Sequence, residues 1–150
     1  MKKHMRMPVH IRLWMLLFCI MSTLPLRGQL ASIPFQLEEN GHVRMKVRIR
    51  SIPDTLDMIF DTGASSNLLH KALAERVGLQ ANHRQSVHGA SGMTNYDVVL
   101  NQPFSLSENV SIENAHWVLA DLTRLSEASG EVIDGIIGYS LLGKFVTQID

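Results

Sequence analysis

One carboxylate in this sequence is especially well placed to do chemistry. Asp61 directly follows the largely apolar run 56–60, and Thr62 and Gly63 come after it. A carboxylate at the end of a buried strand is partly desolvated, which suits it to give or take a proton. Gly63 allows a sharp backbone turn, and the Thr62 hydroxyl can brace the loop by a hydrogen bond. Such a carboxylate can position a water molecule, and a second carboxylate nearby would share a proton with it.

The tripeptide at 61–63 can also be read as an ordinary turn. At average residue usage an Asp-Thr-Gly sequence arises by chance in roughly 0.03 of chains of this length. The apolar residues before it and Ala64-Ser65 after it lower that chance further. We therefore interpret Asp61 as a catalytic residue, with the turn as the alternative.

The elements that must position Asp61 are mostly short strands. Apolar and basic residues alternate over 43–49, which predicts a half-buried strand with a basic outer face. Asn40-Gly41 predicts a hairpin turn whose partner strand is 33–37, and 56–60 predicts the strand that leads into Asp61. Further short strands are predicted at 85–87, 93–94, 97–100, 104–106, 110–112 and 117–120, and short helices at 70–77 and 140–145. Many short strands with turns between them indicate an all-β barrel or sandwich.

Three segments of the chain resemble those of a known family. Residues 59–65, Ile-Phe-Asp-Thr-Gly-Ala-Ser, resemble the active-site loop of the retroviral-type aspartic peptidases, the retropepsins. The Gly-rich segment 88–92 resembles the flap hairpin that closes over substrate in that family. Residues 134–142 resemble its apolar-apolar-Gly loop and the short helix that follows. The segments occur in the family order, and the similarity covers nearly all of residues 33–150 and is closest to exported bacterial members.

This resemblance implies a fold and a mechanism. The fold is an all-β, retropepsin-like acid protease barrel with one or two short helices and one lobe per chain. Each chain of the family carries one catalytic Asp, so two chains, or a second domain, together activate the water that attacks a peptide bond. The implied partners are therefore a peptide or protein substrate and a second copy, with no cofactor and no metal. The implied catalytic residues are Asp61, Thr62 and Gly63, and the implied substrate-binding residues are Ala64, Gly89, Ala90, Ser91 and Gly92.

The sequence carries one Asp-Thr-Gly motif, which leaves two alternatives open. One is a non-catalytic peptide-binding domain on the same fold, and the other is an inactive fragment of a longer peptidase. The segment 146–150 predicts an apolar terminal strand that continues in the full-length protein. Asp134 has no hydroxyl residue in the motif position after it, so we expect it beside a structural loop rather than in a catalytic role.

The first 28 residues differ in composition from the rest. They hold five of the 14 basic residues and none of the 14 acidic ones. A basic stretch, the short apolar core 13–21 and small residues follow in the order of a secretory signal peptide. The core is shorter than the ~20 residues of a membrane-spanning helix, although an uncleaved anchor is an alternative. We expect a signal peptide at 1–28 and a peptidase domain at 29–150, in a protein exported to the periplasm, the cell envelope or the medium.

Composition argues against several other functions. A net charge of zero gives no reason to expect a nucleic-acid partner. Cys19 is the single cysteine and lies in the predicted signal, so the domain has no thiol for a disulfide, a metal or a nucleophile. The five histidines after residue 28 lack the spacing of metal ligands. The basic face of Arg44, Lys46, Arg48 and Arg50 is interpreted as solvated, with contact to acidic partners or lipid headgroups as the lesser alternative.

Overall fold

A curled ten-stranded sheet dominates the computed structural model, which describes residues 31–89 and 92–150. The strands are β1 (Phe35–Leu37), β2 (Val43–Ile49), β3 (Thr55–Phe60), β4 (Leu68–His70), β5 (His83–Gly89), β6 (Gly92–Val99), β7 (Phe104–Ser107), β8 (Val110–Ile112), β9 (Trp117–Ala120) and β10 (Gly135–Ile137). Three short helices accompany them in the described part: α1 (Lys71–Arg76), α2 (Thr123–Ser129) and α3 (Tyr139–Leu142). Neighbouring strands run in the order β5-β6-β9-β4-β10-β3-β2-β7-β8, and β1 pairs with β2.

The long hairpin of β2 and β3 is built from alternating side chains. Val47 and Ile49 are almost fully buried, whereas Lys46 and Arg48, which alternate with them, are exposed. Six residue pairs join β2 to β3 in an antiparallel ladder that ends at Phe60, next to Asp61. The register therefore fixes where the catalytic candidate emerges from the sheet, because a slip of one residue would turn every buried side chain outward.

An aromatic pair anchors the main core. The rings of Phe104 and Trp117 meet edge to face, with centroids 5.0 Å apart and planes at 72°. Both side chains are essentially buried, and the Trp117 indole donates to the carbonyl of Gln102 at 3.2 Å. A second, smaller cluster contains Ile59, Leu122, Ile133 and Ile136 and lies beside the end of β3. This second cluster is the packing that supports the Asp61 region.

Two parallel pairings place the ends of distant strands together. β10 runs parallel to β3, with Ile137 opposite Phe60, and β4 runs parallel to β9. Because parallel strands end at the same edge of a sheet, the loops after β3 and β10 meet. Within the segment 134–142, which resembles a family loop followed by a short helix, residues 135–137 form strand β10.

Other elements also differ from the sequence predictions. Strand β4 and helix α2 were not predicted, and the separate pieces predicted at 93–94 and 97–100 form parts of the one strand β6. The residues of the predicted terminal strand, 146–150, have no regular structure in the described chain and are exposed. A strand needs hydrogen bonds to a neighbour, and no described strand of this chain pairs with them.

The predicted solvated basic face of β2 is wrong at its first position. Arg44 is 4% exposed. Lys46 and Arg50 do face outward, but each contacts a carboxylate, Asp57 at 2.6 Å and Glu113 at 2.9 Å. This face therefore carries paired charges and not an open basic stripe.

Within the described residues, no helix has the length and apolar character needed to cross a membrane. The predicted signal peptide at 1–28 lies outside the described residues.

Candidate active site

The loop after β3 is held by backbone hydrogen bonds on both sides. The Asp61 N–H donates to the carbonyl of Ile137 at 2.9 Å, which continues the β3–β10 pairing. The Asp61 Oδ1 accepts the N–H of Gly63 at 2.8 Å, and the Ala64 N–H donates to the Asp61 carbonyl at 3.3 Å. Asp61 is partly exposed, whereas Thr62 and Gly63 are exposed. The carboxylate thus has a fixed direction and retains oxygen lone pairs for a ligand.

The loop after β10 packs directly against this active-site loop. Buried Asn67 accepts the N–H of Gly138 through its Oδ1 at 3.1 Å, and the Tyr139 N–H donates to the Ala64 carbonyl at 2.8 Å. A Cβ on Gly138 would lie 2.4 Å from the carbonyl oxygen of Ser66, closer than real contacts allow. Only glycine fits here, because the two backbones approach each other so closely.

Asp134 has a structural place at the other end of the same strands. Its Oδ2 accepts the Asp57 N–H at 2.9 Å, its carbonyl accepts the His70 N–H at 2.8 Å, and its N–H donates to the Asp57 carbonyl at 2.9 Å. These bonds tie β10 to β3 and β4. The expectation that Asp134 supports a structural loop agrees with this geometry.

A cavity of about 350 Å³ opens beside Asp61. Most of its wall is apolar: Ile59 and Phe60 from β3, Leu125 from α2, and Ile136 from β10. The lining is completed by residues 41–43 at the β1–β2 turn, Thr62 and Ile149. Asp61 is the one carboxylate among these described lining residues. An apolar cavity with a single convergent acid is typical of a ligand or substrate site.

Polar contacts brace two walls of this cavity. The Arg44 side chain donates to Glu38 in the β1–β2 turn, and this hydrogen bond lowers the pKa of the Glu38 carboxyl below its ordinary value. On the opposite side, Asp121 accepts the N–H and the hydroxyl of Thr123 at 3.0 and 2.6 Å. The bond from the Thr123 hydroxyl, and after it the bond from the Thr123 backbone, lower the pKa of Asp121 below its ordinary value. They join Asp121 to the first residue of α2.

The structure brings together some of the predicted site residues. Asp61 and Thr62 line the cavity, and Gly63 binds the Asp61 carboxylate. Ala64 packs with the second cluster and binds Tyr139 through its carbonyl, so its predicted contact with substrate stays a prediction. In the predicted flap, Gly89 pairs with Gly92 across the β5–β6 hairpin. Ala90 and Ser91 lie outside the described residues, and substrate binding by the flap stays a prediction. The described residues contain no group of three His, Cys, Asp or Glu side chains placed to hold a metal.

Sequence reasoning missed three residues that shape the site. Asn67 follows Ser65-Ser66 in what reads as a polar loop, and its burial depends on the distant Gly138. Arg44 alternates with apolar residues like an ordinary surface residue. Leu125 belongs to α2, which could have been found from Asp121-Leu122-Thr123 as a helix start and Gly130 as its stop.

The geometry defines a class of protein: a β-sheet fold in which one Asp-Thr-Gly loop, locked against an apolar-apolar-Gly loop, borders an apolar cleft. A family model described as aspartyl protease matches residues 45–141, and the chain belongs to this family. The match includes Asp61 and both loops.

Two solved structures superpose on this chain, and the first of them shows a similar fold. The crystal structure of a retropepsin-like aspartic protease from Rickettsia conorii superposes with a TM-score of 0.55 at 20% identity, covering 80% of this chain and 94% of that one. The solution structure of the simian foamy virus (mac) protease superposes with a TM-score of 0.46 at 14% identity, covering 69% of this chain and 99% of that one. A comparison with curated proteins finds no match. The predicted all-β, retropepsin-like fold is confirmed, with three short helices in the described residues instead of one or two.

Proposed function

We propose that this protein is an aspartic endopeptidase in which the Asp61 carboxylates of two copies activate one water molecule. The observation that carries the proposal is the placement of Asp61. It stands at the edge of an apolar cleft and is oriented by Ile137 and Gly63, within the region that matches the aspartyl protease family.

The chemistry requires two carboxylates in different protonation states. One carboxylate takes a proton from water as the water oxygen attacks the carbonyl carbon of the peptide. The other, protonated, gives its proton to the carbonyl oxygen. Proton transfer to the peptide nitrogen then breaks the C–N bond without a covalent enzyme intermediate. Two close carboxylates hold one proton between them and titrate as a coupled pair.

The described residues support a requirement for a second carboxylate, from a second copy or a second domain. Asp61 is the single acid in the cleft, and Asp134 is engaged in backbone hydrogen bonds of β3 and β10. Exposed apolar side chains follow the second loop: Tyr139 is 63% exposed, Ile149 is 54% exposed, and Val146 is fully exposed. Apolar side chains exposed beside a functional loop support a protein–protein contact there. A two-fold arrangement through Thr62 and Gly63, which are exposed, would place two Asp61 carboxylates face to face.

The cleft also supports a substrate class. Its wall of Ile59, Phe60, Leu125 and Ile136 favours a peptide with an apolar side chain next to the cleaved bond. A mass-spectrometric survey of products from a mixed peptide library would read this preference directly.

The first test is the substitution Asp61→Asn, which preserves shape and removes the ionisable group. We expect loss of peptide cleavage with an unchanged melting temperature. Asp54→Asn is the matched control, because Asp54 is an exposed acid in the β2–β3 turn. Wild-type cleavage rates in a folded Asp61→Asn protein would refute the proposal, and a wild-type protein that binds but never cleaves peptides would favour a peptide-binding domain.

The second test addresses the pairing. Adding excess Asp61→Asn protein to a fixed amount of wild-type protein should inhibit cleavage, because wild-type chains are drawn into mixed pairs with one carboxylate. The two-copy site would be contradicted by two results together. These are a cleavage rate that stays unchanged at every ratio of Asp61→Asn to wild-type protein, and a monomer in sedimentation.

We also propose that the protein is exported. The support is the signal-like order of residues 1–28 and the absence of a thiol after Cys19. Fractionation of cells that express the full chain, with and without residues 2–28, would test it. Retention of both forms in the cytoplasm would contradict export.

A further inference from the structure

Arg44 is a buried cation behind the wall of the Asp61 cavity. Its side chain is 4% exposed, whereas Lys46, the next outward residue on β2, is 64% exposed. A charged group is kept out of water in a folded protein only where partners compensate it. The contacts of Arg44 therefore indicate what it holds in place.

Arg44 joins two segments that are far apart in sequence. Its Nε donates to the carboxylate of Glu38 in the β1–β2 turn. Its Nη1 donates to the carbonyl of Val132 at 2.8 Å, and its Nη2 lies 3.4 Å from the carboxylate of Glu131. Both of these residues lie between α2 and β10. One guanidinium thus connects the β1–β2 turn to the α2–β10 connection.

One of the two connected segments lines the cavity, and the other lies between two elements that line it. The β1–β2 turn continues from Glu38 into residues 41–43, which line one side. The other segment lies between Leu125 on α2 and Ile136 on β10, which line another side. The contacts of Arg44 thus connect these two sides of the cavity through a residue that does not line it.

We propose, on the basis of the peptidase function above, that Arg44 is a positioning residue that sets the width of the Asp61 cleft. Through this width it determines the size of the apolar side chain that the cleft accepts. The planar guanidinium binds both segments from a fixed fork, and a lysine ammonium reaches one of them as a point charge. Arg44→Lys keeps the charge and loses the double contact.

The experiment uses the full-length protein and three peptides that differ by Ala, Leu or Phe at the position of strongest preference. We expect Arg44→Lys to change the ratio of kcat/KM between the Phe and Ala peptides by about tenfold. This is about the factor by which an apolar pocket discriminates between substrates that differ by one methylene group. The change should lie in KM. Arg50→Lys is the matched control, because Arg50 follows the same strand and pairs with Glu113 at 2.9 Å, and neither lines the cavity.

A second variant covers a failure of Arg44→Lys to fold. The double substitution Arg44→Met with Glu38→Gln removes both partners of the ion pair together, which avoids leaving one charge unpaired. It should shift the same ratio, with Arg50→Lys again unchanged. A ratio within about twofold of wild type in a folded variant, or an equal loss on all three peptides, would overturn the proposal.

The failure of the proposed peptidase function would be visible separately. If the wild-type protein cleaves none of the peptides, their dissociation constants, measured by fluorescence anisotropy, replace kcat/KM. A size preference in binding that shifts with Arg44→Lys and not with Arg50→Lys still supports the role of Arg44. An unshifted preference overturns it.

Discussion

The side-chain oxygen of Asn67 accepts the backbone N–H of Gly138 across 3.1 Å, and this bond joins the loop that carries Asp61 to the loop after β10. Both residues are buried, and 71 positions separate them in the chain. The backbone carbonyl of Asn67 also accepts the N–H of Val118 at 3.0 Å. One side chain and its own backbone therefore hold three segments around Asp61.

Replacing Asn67 by alanine should destabilise the protein by about 1–3 kcal/mol, because the Gly138 N–H would stay buried without an acceptor. Urea denaturation at neutral pH measures this loss. Peptide cleavage should fall as well, since the loop that carries Asp61 loses a fixed neighbour. Asn82→Ala is the control: Asn82 also binds backbone, accepting the Leu100 N–H at 2.8 Å, but it is exposed. An equal loss of stability in Asn67→Ala and Asn82→Ala would contradict the importance of the burial of Asn67.

Gly138→Ala should be more harmful than Asn67→Ala. The added Cβ would lie 2.4 Å from the Ser66 carbonyl and 2.6 Å from the Ala64 carbonyl, and backbone cannot rotate away as a flexible side chain can. We expect little folded protein, or a folded protein without cleavage because the Asp61 loop is displaced. Gly143→Ala is the matched control, since its nearest contact is 3.3 Å and its φ of −64° is helical. Near-wild-type activity of Gly138→Ala would show that the loops can separate.

The elements predicted from sequence are those whose side chains alternate or whose ends carry turn-forming residues. Strand β2 follows from its period of two, and Asp61 from its place after an apolar run. Strands β4 and β10 were not predicted because their stability comes from pairing with each other across more than 60 positions. The burial of Arg44 escaped for the same reason: its partners at 131–132 become neighbours only when α2 and β10 are in place. Local patterns carry no information on such non-local contacts.

The stability contributed by Glu38 should depend on pH in a defined direction. The hydrogen bond from Arg44 lowers the pKa of Glu38 below its ordinary value of 4.5. A lowered pKa in the folded state means that the carboxylate stabilises the fold above pH 4.5. This contribution is lost as the pH falls through the lower, folded value.

Glu38→Gln should therefore be less stable than wild type at pH 7, and the difference should shrink below pH 4.5. Urea denaturation at several pH values between about 3 and 7 measures this difference in stability, because carboxylates titrate in about that range. Glu113→Gln is the control, because Glu113 is 60% exposed and its pairing with Arg50 is screened by water. A stability difference between Glu38→Gln and wild type that stays constant with pH would contradict the charged pairing.

Asp121→Ala should loosen the first turn of α2 and with it one wall of the cleft. Asp121 accepts the Thr123 N–H at 3.0 Å, and a carboxylate at a helix start satisfies donors that have no partner within the helix. We expect faster hydrogen–deuterium exchange at 123–126 and a higher KM, because Leu125 lines the cleft. Asp121→Asn should show an exchange rate and a KM between those of wild type and Asp121→Ala, since asparagine keeps an acceptor without the charge. Asp54→Ala, at an exposed turn, should leave exchange in α2 unchanged. Wild-type exchange in Asp121→Ala would mean that the Leu122, Ile133 and Ile136 packing alone holds the helix.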